Sequence, residues 1–306
     1  MNTKVKIACF CGSSIGILLR NSIRGGKEQP IARCSKCGVV SKTNLDKHHH
    51  EQFHREGRQA WEINLNSMSE EYAKRNLTDV VARIDAIRPI IDETQCLLDF
   101  GTGMGHFMNA VSDHVDTVVG VDINEKRVHF VRSELQLDVY EDISRLRKDA
   151  VYRSIDVVTM FHVLEHLPNP VEQLRNIHDL LTTDSYLIVE VPNHDDWMLS
   201  MSHAYADFYY QDAHAYYYHK HSLTKVLDMA GFEAEIRHIQ RYGYRNAIHW
   251  LVKRKPQLNS PSRHRDHWGT PLDKIYANVM GALNKSDTIF ALCRPRYSKI
   301  LCTKKG

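Results

Sequence analysis

The run Leu97-Leu98-Asp99-Phe100-Gly101-Thr102-Gly103-Met104-Gly105-His106 places an apolar strand, three alternating glycines and a helix start in succession. Glycine suits such a turn because the chain must bend sharply and let a ligand reach main-chain atoms that a side chain would shield. About twenty residues further on, a second apolar run ends in Gly120-Val121-Asp122. A carboxylate there can accept both ribose hydroxyls of a nucleoside lying across the strand ends. The pair predicts a nucleoside-bearing cofactor with Asp122 as its central contact. A dinucleotide fits less well, because G-x-G-x-x-G needs glycine at position 106, which is histidine. The plain alternative is an ordinary strand-to-helix turn.

Two further groups of polar residues could do chemistry. The strand expected over Ile155 to Met160 runs into Phe161-His162-Val163-Leu164-Glu165-His166-Leu167-Pro168-Asn169-Pro170. Polar residues at the carboxyl end of a strand in an open α/β sheet face the ligand crevice. Against this, Glu165 or His166 could simply cap the next helix and orient the loop. His194 to His221 is too long for a simple loop and carries Tyr205, Phe208, Tyr209, Tyr210, Tyr216, Tyr217 and Tyr218, with His203, His214, His219 and His221. Long insertions at strand ends act as lids or acceptor sites. Aromatic faces pack on sugar rings and histidines hydrogen-bond or deprotonate hydroxyls, so a saccharide or nucleotide-sugar acceptor is expected, faced by at least one of His214, His219 and His221. The bland alternative is that each tyrosine only packs the lid against the sheet.

Cys9-Phe10-Cys11-Gly12 and Cys34-Ser35-Lys36-Cys37-Gly38 are two cysteine pairs, each followed by glycine. Four thiolates can close a tetrahedral zinc site, and a glycine after each pair permits a tight knuckle. The first knuckle departs from the usual Cys-x2-Cys spacing, and four unligated thiols are the alternative. A fully ligated site has no open position, so its role would be structural. Cys96, Cys293 and Cys302 are scattered and read as packing residues. His48, His49, His50 and His54 read as a solvated helix face, with a second metal site the lesser alternative.

The elements that must position these groups follow from periodicity. After Thr94, short apolar runs alternate with helix-period segments, the pattern of a doubly wound α/β sheet. Strands are expected at Cys96 to Phe100, Thr117 to Asp122, Leu137 to Tyr140, Ile155 to Met160, Tyr186 to Val191, about Glu233 to Gln240 and Thr288 to Leu292, seven in all. A helix is expected over Pro170 to Leu181, with Asn169 as N-cap and Glu172 completing a capping box. Ser222 should cap another that stops at Gly231. Apolar spacing at Tyr72, Leu77, Val80, Val81, Ile84 and Ile87 predicts connecting helices between Leu45 and Asp92. The expected organisation is a zinc-ribbon-like module over residues 1–45, a helical connector over 46–94 and a catalytic domain over 95–306 with a lid at about 194–221.

With 306 residues, 42% hydrophobic and 25% charged, the chain can bury one large core and a small appended module. A net charge of +3 is too mild to imply a polyanion, which argues against nucleic acid. No apolar run approaches the ~18 residues of a membrane span, and the N-terminus lacks a secretory segment. A cytoplasmic protein without a membrane partner is expected, in which seven cysteines would not form a disulfide framework.

Asp99, Gly101, Gly103 and Gly105 form the acidic-x-Gly-x-Gly-x-Gly pattern of class I S-adenosylmethionine-dependent methyltransferases, and the region resembles that family. The resemblance implies a Rossmann-like, mostly parallel sheet with flanking helices. It implies that the loop from Asp99 through Phe100, Gly101, Thr102, Gly103 and Gly105 cradles the methionine moiety. Asp122 would then hold the ribose, Ile123 lie against the adenine and Asp142 stand near its amino group. The run after Phe161 resembles the "hvLEHl.dP" segment of the subfamily that includes ubiquinone-pathway enzymes. That implies His162 beside the methionine part, with Glu165 and His166 near the transferred methyl. Transfer from a sulfonium to a hydroxyl needs in-line approach and a base, and histidine suits the second task. Some relatives hold a divalent metal around comparable Glu and His residues. Position 162 is histidine where those carry an acidic residue, so metal catalysis is not expected.

Ribbons also begin certain sugar methyltransferases, which the chain resembles in order of parts. Gln240 to Leu251 and Lys285 to Ile289 resemble uncharacterised methyltransferases associated with surface-polysaccharide synthesis. The expectation is O-methylation of a small sugar-containing acceptor. An RNA-modifying methyltransferase and a non-catalytic S-adenosylmethionine-binding module are the alternatives.

Overall fold

The computed structural model describes residues 3–56, 77–93, 95–148, 154–255 and 271–297. Tyr72 and Cys302, both singled out above, lie outside the described residues. Strands run at Lys4–Lys6 (β1), Ile15–Ser22 (β2), Glu28–Cys34 (β3), Val40–Lys42 (β4), Cys96–Phe100 (β5), Thr117–Val121 (β6), Asp138–Tyr140 (β7), Val157–Phe161 (β8), Tyr186–Pro192 (β9), Tyr216–Tyr217 (β10), Phe232–Ile239 (β11) and Thr288–Pro295 (β12). Helices run at Lys47–Glu56 (α1), 77–87 (α2), His106–Val111 (α3), Glu125–Glu134 (α4), Ile143–Leu146 (α5), Pro170–His178 (α6), Met198–Met201 (α7), His203–Tyr209 (α8), Lys220–Met229 (α9), Tyr244–Lys253 (α10) and Pro271–Ala282 (α11).

The seven-stranded sheet has the order β11-β12-β9-β8-β5-β6-β7, parallel from β9 through β7, with β12 antiparallel to both of its neighbours. It is a mostly parallel, Rossmann-like α/β sheet. Chain direction reverses its sideways march between β5 and β8, which opens a crevice at their carboxyl ends. Strands buried on both faces need unbroken apolar runs, and β5, β8 and β9 supply them. Leu98, Val158 and Val189 pack on one face with Leu174 and Ile177 of α6 and Leu223, Val226 and Leu227 of α9. Leu97, Val157 and Ile188 point the other way, against Val80 and Ile84 of α2 and Phe107 and Val111 of α3.

The N-terminal module is a five-stranded antiparallel sheet ordered β1-β2-β3-β4-β10, so its last strand comes from the 194–221 segment. Its Ile7, Cys9, Ala32, Cys34, Cys37 and Val39 join the same apolar cluster as the large sheet.

Helix caps differ from the expected ones. Asn169 makes no capping bond to α6, and its side-chain oxygen is a partner of Lys47 instead. Proline at the first position already needs no amide partner, so α6 begins there without a capping box. The cap of α9 is His219, with Ser222 at the third helical position closing a reciprocal box. The imidazole takes the acceptor role that sequence assigned to serine.

Candidate active site

Three positive-φ glycines shape the turn after β5: Gly101 at 89°, Gly103 at 59° and Gly105 at 76°. At Gly101 a Cβ would lie 2.2 Å from Val163 Cγ2, so close approach as well as conformation demands glycine. The amides of Gly101 and Thr102 donate to Val121 O at 2.7 and 3.2 Å, tying the loop to the end of β6. The Gly103 amide donates to Asp122 Oδ2 at 2.8 Å, and the Asn124 amide donates to Oδ1 at 2.9 Å. Asp122 is thus buried, oriented by two amides and held against the glycine loop.

Around that pair, Phe100 and Thr102 are buried, Ile123 is half-buried, and Asp142 is exposed as the N-cap of α5. The Ser144 amide leads the causes holding the Asp142 carboxyl below its ordinary value. Asp99 is fully enclosed and accepts from Thr159 Oγ1 at 2.8 Å. Burial pushes its carboxyl up to about 6, and the threonine bond only partly opposes this.

At the end of β8, His162 adopts φ 56°, a left-handed conformation uncommon for histidine. Its Nδ1 lies 3.2 Å from Glu165 Oε1 and its Nε2 lies 2.9 Å from Glu190 Oε1. Burial and the Arg241 guanidinium oppose protonation, but the two carboxylates prevail and raise the imidazole above its ordinary value. Burial would raise Glu190 too, yet Arg83, at 2.7 Å, together with His162 and Arg241 holds it well below the carboxylate range.

Glu165 is buried, and its Oε2 has no hydrogen-bond partner among the described residues. His166 Nδ1 donates to Ala213 O at 2.7 Å, which leaves the Nε2 lone pair of the neutral ring available. His214 is buried, with Nε2 beside the Gln211 amide and Nδ1 without a partner among the described residues. One ligand atom from each of Glu165, His166 and His214 lies within 4.8 Å of the others.

The chain is similar to known proteins. Residues 69–235, more than half of the chain, match the family model described as a methyltransferase domain. The chain belongs to that family. It is 30% identical over 103 residues to a ubiquinone biosynthesis O-methyltransferase of Coxiella burnetii, covering 32% of this chain and 43% of that protein. Over 142 residues it is 28% identical to a protein of Mycolicibacterium smegmatis named a probable S-adenosylmethionine-dependent methyltransferase, covering 45% of this chain and 52% of the relative. The chain therefore spans about half the length of the curated relatives it matches. Among solved structures, a SAM-dependent methyltransferase from Archaeoglobus fulgidus is similar, with a TM-score of 0.49 and 20% identity, covering 73% of this chain and 99% of that one.

In this methyltransferase domain the three histidines expected to face an acceptor separate. His214 joins Glu165 and His166, whereas His219 caps α9 and meets Gly38 O of the ribbon at 3.1 Å. His221 lies exposed beside it, the two rings stacked 6.2 Å apart. Both line a cavity of about 570 Å³ with Arg33, Asp195, Lys220 and His238. Tyr209, Tyr210, Tyr216, Tyr217 and Tyr218 are all buried, so these five rings are packed away from solvent.

Helix α1 contributes residues that sequence placed on a solvated face. His48 and His49 are exposed there, but His50 is buried. His50 Nε2 donates to His166 O at 2.9 Å and His54 Nε2 to Ala213 O at 3.0 Å. Rings of His50, His54, His166 and His214 follow one another at centroid spacings of 4.9, 4.8 and 4.8 Å. At the end of α1 the Arg55 carbonyl accepts from Asn124 Nδ2, two residues from Asp122. The i, i+4 spacing of His50 and His54 was the available signal for this inward face.

The ribbon's Cys9, Cys11, Cys34 and Cys37 sulfurs all lie within 4.8 Å of one another, with Cys9 and Cys37 3.5 Å apart and Cys11 and Cys34 3.6 Å apart. Four sulfurs gathered so closely fit a zinc-ribbon-like module.

Proposed function

We propose that the chain is an S-adenosylmethionine-dependent methyltransferase that O-methylates a small, sugar-containing acceptor. The observation carrying this is the Gly103 amide bonded to Asp122 on one side of the crevice, with Glu165, His166 and His214 converging at the end of the next strand. S-adenosylmethionine, when bound, supplies an electrophilic methyl whose bond to sulfur breaks as the acceptor oxygen bonds to carbon. The glycine loop and Asp122 hold the cofactor by its methionine and ribose parts. His166 Nε2 takes the hydroxyl proton, its ring fixed by the Ala213 carbonyl. Buried Glu165 stabilises the imidazolium that forms. His221, in the cavity beside Arg33 and Lys220, binds the acceptor, with His219 holding the start of α9 and the Gly38 carbonyl next to it, and the polar residue types of the lining support a hydroxyl-rich or phosphorylated molecule. The four ribbon cysteines would hold a zinc ion, whose role would be structural.

A second reading of the same cluster is favoured by the two partnerless buried atoms, Glu165 Oε2 and His214 Nδ1. Two imidazoles and a carboxylate are a donor set that suits a divalent transition metal. Glu165, His166 and His214 would hold it, and it would lower the pKa of an acceptor hydroxyl.

Incubation with methyl-labelled cofactor and a panel of nucleotide sugars tests the proposal. Label is expected in an acceptor, lost in His166→Ala while binding of S-adenosylhomocysteine persists. Binding without transfer to any acceptor would favour a silent module. Metal analysis of the purified chain separates the two readings: zinc alone at one equivalent supports the base, and a second equivalent lost in Glu165→Gln supports the metal.

A further inference from the structure

Helices α10 and α11 wear their most apolar residues on the outside. Ile248, Leu251 and Val252 of α10, and Leu272, Ile275 and Val279 of α11 with Leu283 just beyond it, are between 39% and 67% exposed. On α11 the spacing of 3, 4 and 4 residues draws them into one stripe along the helix. This is the reverse of a surface helix, whose apolar stripe faces the core. Neither helix is loosely attached. Ala247 and Trp250 of α10 are buried in a cluster with Met198, flanked by Tyr205, Phe208 and Tyr276 of α11. Asp273 Oδ1 accepts the Tyr244 amide at 3.0 Å and so joins the start of α10 to α11. Both inner faces meet one cluster, which turns both aliphatic faces outward.

The charged side chains that these two helices themselves expose have one sign. Arg245, Lys253, Arg254, Lys255, Lys274 and Lys285 are all exposed. The single carboxylate among described residues 244–255 and 271–285 is Asp273, which is buried at its helix-joining bond. A second copy docked by two-fold symmetry would bring this cationic rim against itself, which is unfavourable. Aliphatic side chains bordered by cations match an anionic bilayer surface, where acyl chains receive the first and lipid phosphates the second. Among the described residues no helix is long and apolar enough to cross a membrane, so contact would be in the plane of the interface.

We propose that α10 and α11 are a docking surface for an anionic phospholipid bilayer. The inner face of α10 packs on the lid helices, Trp250 lying 5.2 Å from both Tyr205 and Phe208, so docking brings the lid to the bilayer surface. The inference does not depend on the methyl-transfer reading.

Sedimentation of the full chain with vesicles tests it. Phosphatidylcholine vesicles containing about one third phosphatidylglycerol should pellet the protein roughly tenfold more than pure phosphatidylcholine, with binding weakened by salt. Ile275→Asp with Val279→Asp should lose about tenfold of that binding, as should Lys253→Glu with Lys274→Glu, at unchanged melting temperature. If the aspartate pair melts early, Val252→Glu on α10 replaces it. Protein that stays in the supernatant with anionic vesicles overturns the proposal, as does an aspartate pair that pellets like the parent. So does a dimer in light scattering that the aspartate pair splits in a chain that ignores vesicles, since a second copy then covers this face.

Discussion

Tyr216 pairs with Ser41 of the cysteine module, and Tyr217 with Val40, so the smaller sheet is incomplete without a strand from the methyltransferase domain. Tyr216 also sets its ring edge-on to Phe10, beside Cys9 and Cys11, at 5.6 Å. The ribbon, Tyr216 and Tyr218, and the large sheet share one apolar cluster. Loss of the cysteine cluster should therefore be felt by the whole fold. Cys34→Ser with Cys37→Ser is expected to cost about 3 kcal/mol, lowering one cooperative transition by roughly 5–10 °C. Differential scanning calorimetry that resolves two transitions, the larger unchanged, would show the module melting on its own.

Gly101 is fixed twice over, by its φ of 89° and by Val163, whose Cγ2 would stand 2.2 Å from an added Cβ. Gly101→Ala should destabilise by about 2–4 kcal/mol in urea unfolding. Adding Val163→Ala removes the contact but not the backbone strain, so part of the loss should return. Strictly additive losses in the double variant would mean that the clash is not what matters.

The strands of the large sheet were legible because buried parallel strands write continuous apolar runs, and Cys96–Phe100 is found with its expected limits. The fourth was expected from Ile155 but begins at Val157, because Ile155 is buried without entering the ladder. Glycine spacing and Asp122 were legible for a different reason: a tight turn and a strand end are local, and so is the Gly103 to Asp122 bond across them. What sequence could not supply was the convergence of His50, His54, His166 and His214, which comes from three separate segments. Nor could it supply β10, two residues long, whose pairing partner is far away in the chain. Of the tyrosines read as sugar platforms, Tyr209, Tyr210, Tyr216, Tyr217 and Tyr218 are buried and Tyr205 is half-buried, because aromatic content does not reveal which way a ring faces.

Asp122 takes two amide donors, from Gly103 and Asn124, in addition to its expected ribose contact. Asp122→Ala removes all of these acceptors and leaves the Gly103 amide without its partner. Affinity for S-adenosylhomocysteine in calorimetry should fall by at least about tenfold, while stability falls by only about 1–2 kcal/mol. Unchanged affinity in a folded variant would remove Asp122 from the cofactor site.

Asp196 offers a pH signature remote from the histidine cluster. Burial, with Asp287 adding to it, pushes this carboxyl up to about 7, although it accepts from Tyr205 Oη at 2.7 Å and from the Met198 amide at 2.9 Å. A group whose folded pKa is raised contributes stability that is fully present below its unfolded value, near 4, and lost as pH climbs through about 7. Asp196→Asn keeps the shape, leaves an oxygen for the Met198 amide, and cannot ionise. Relative to the parent, the variant should therefore gain about 2 kcal/mol between pH 5 and pH 8, a conservative figure for a shift of this size. Melting curves at the two pH values measure the difference directly. A constant gap between variant and parent would mean that Asp196 is already ionised in the folded chain at pH 5, with its charge carried by the Tyr205 hydroxyl and the Met198 amide.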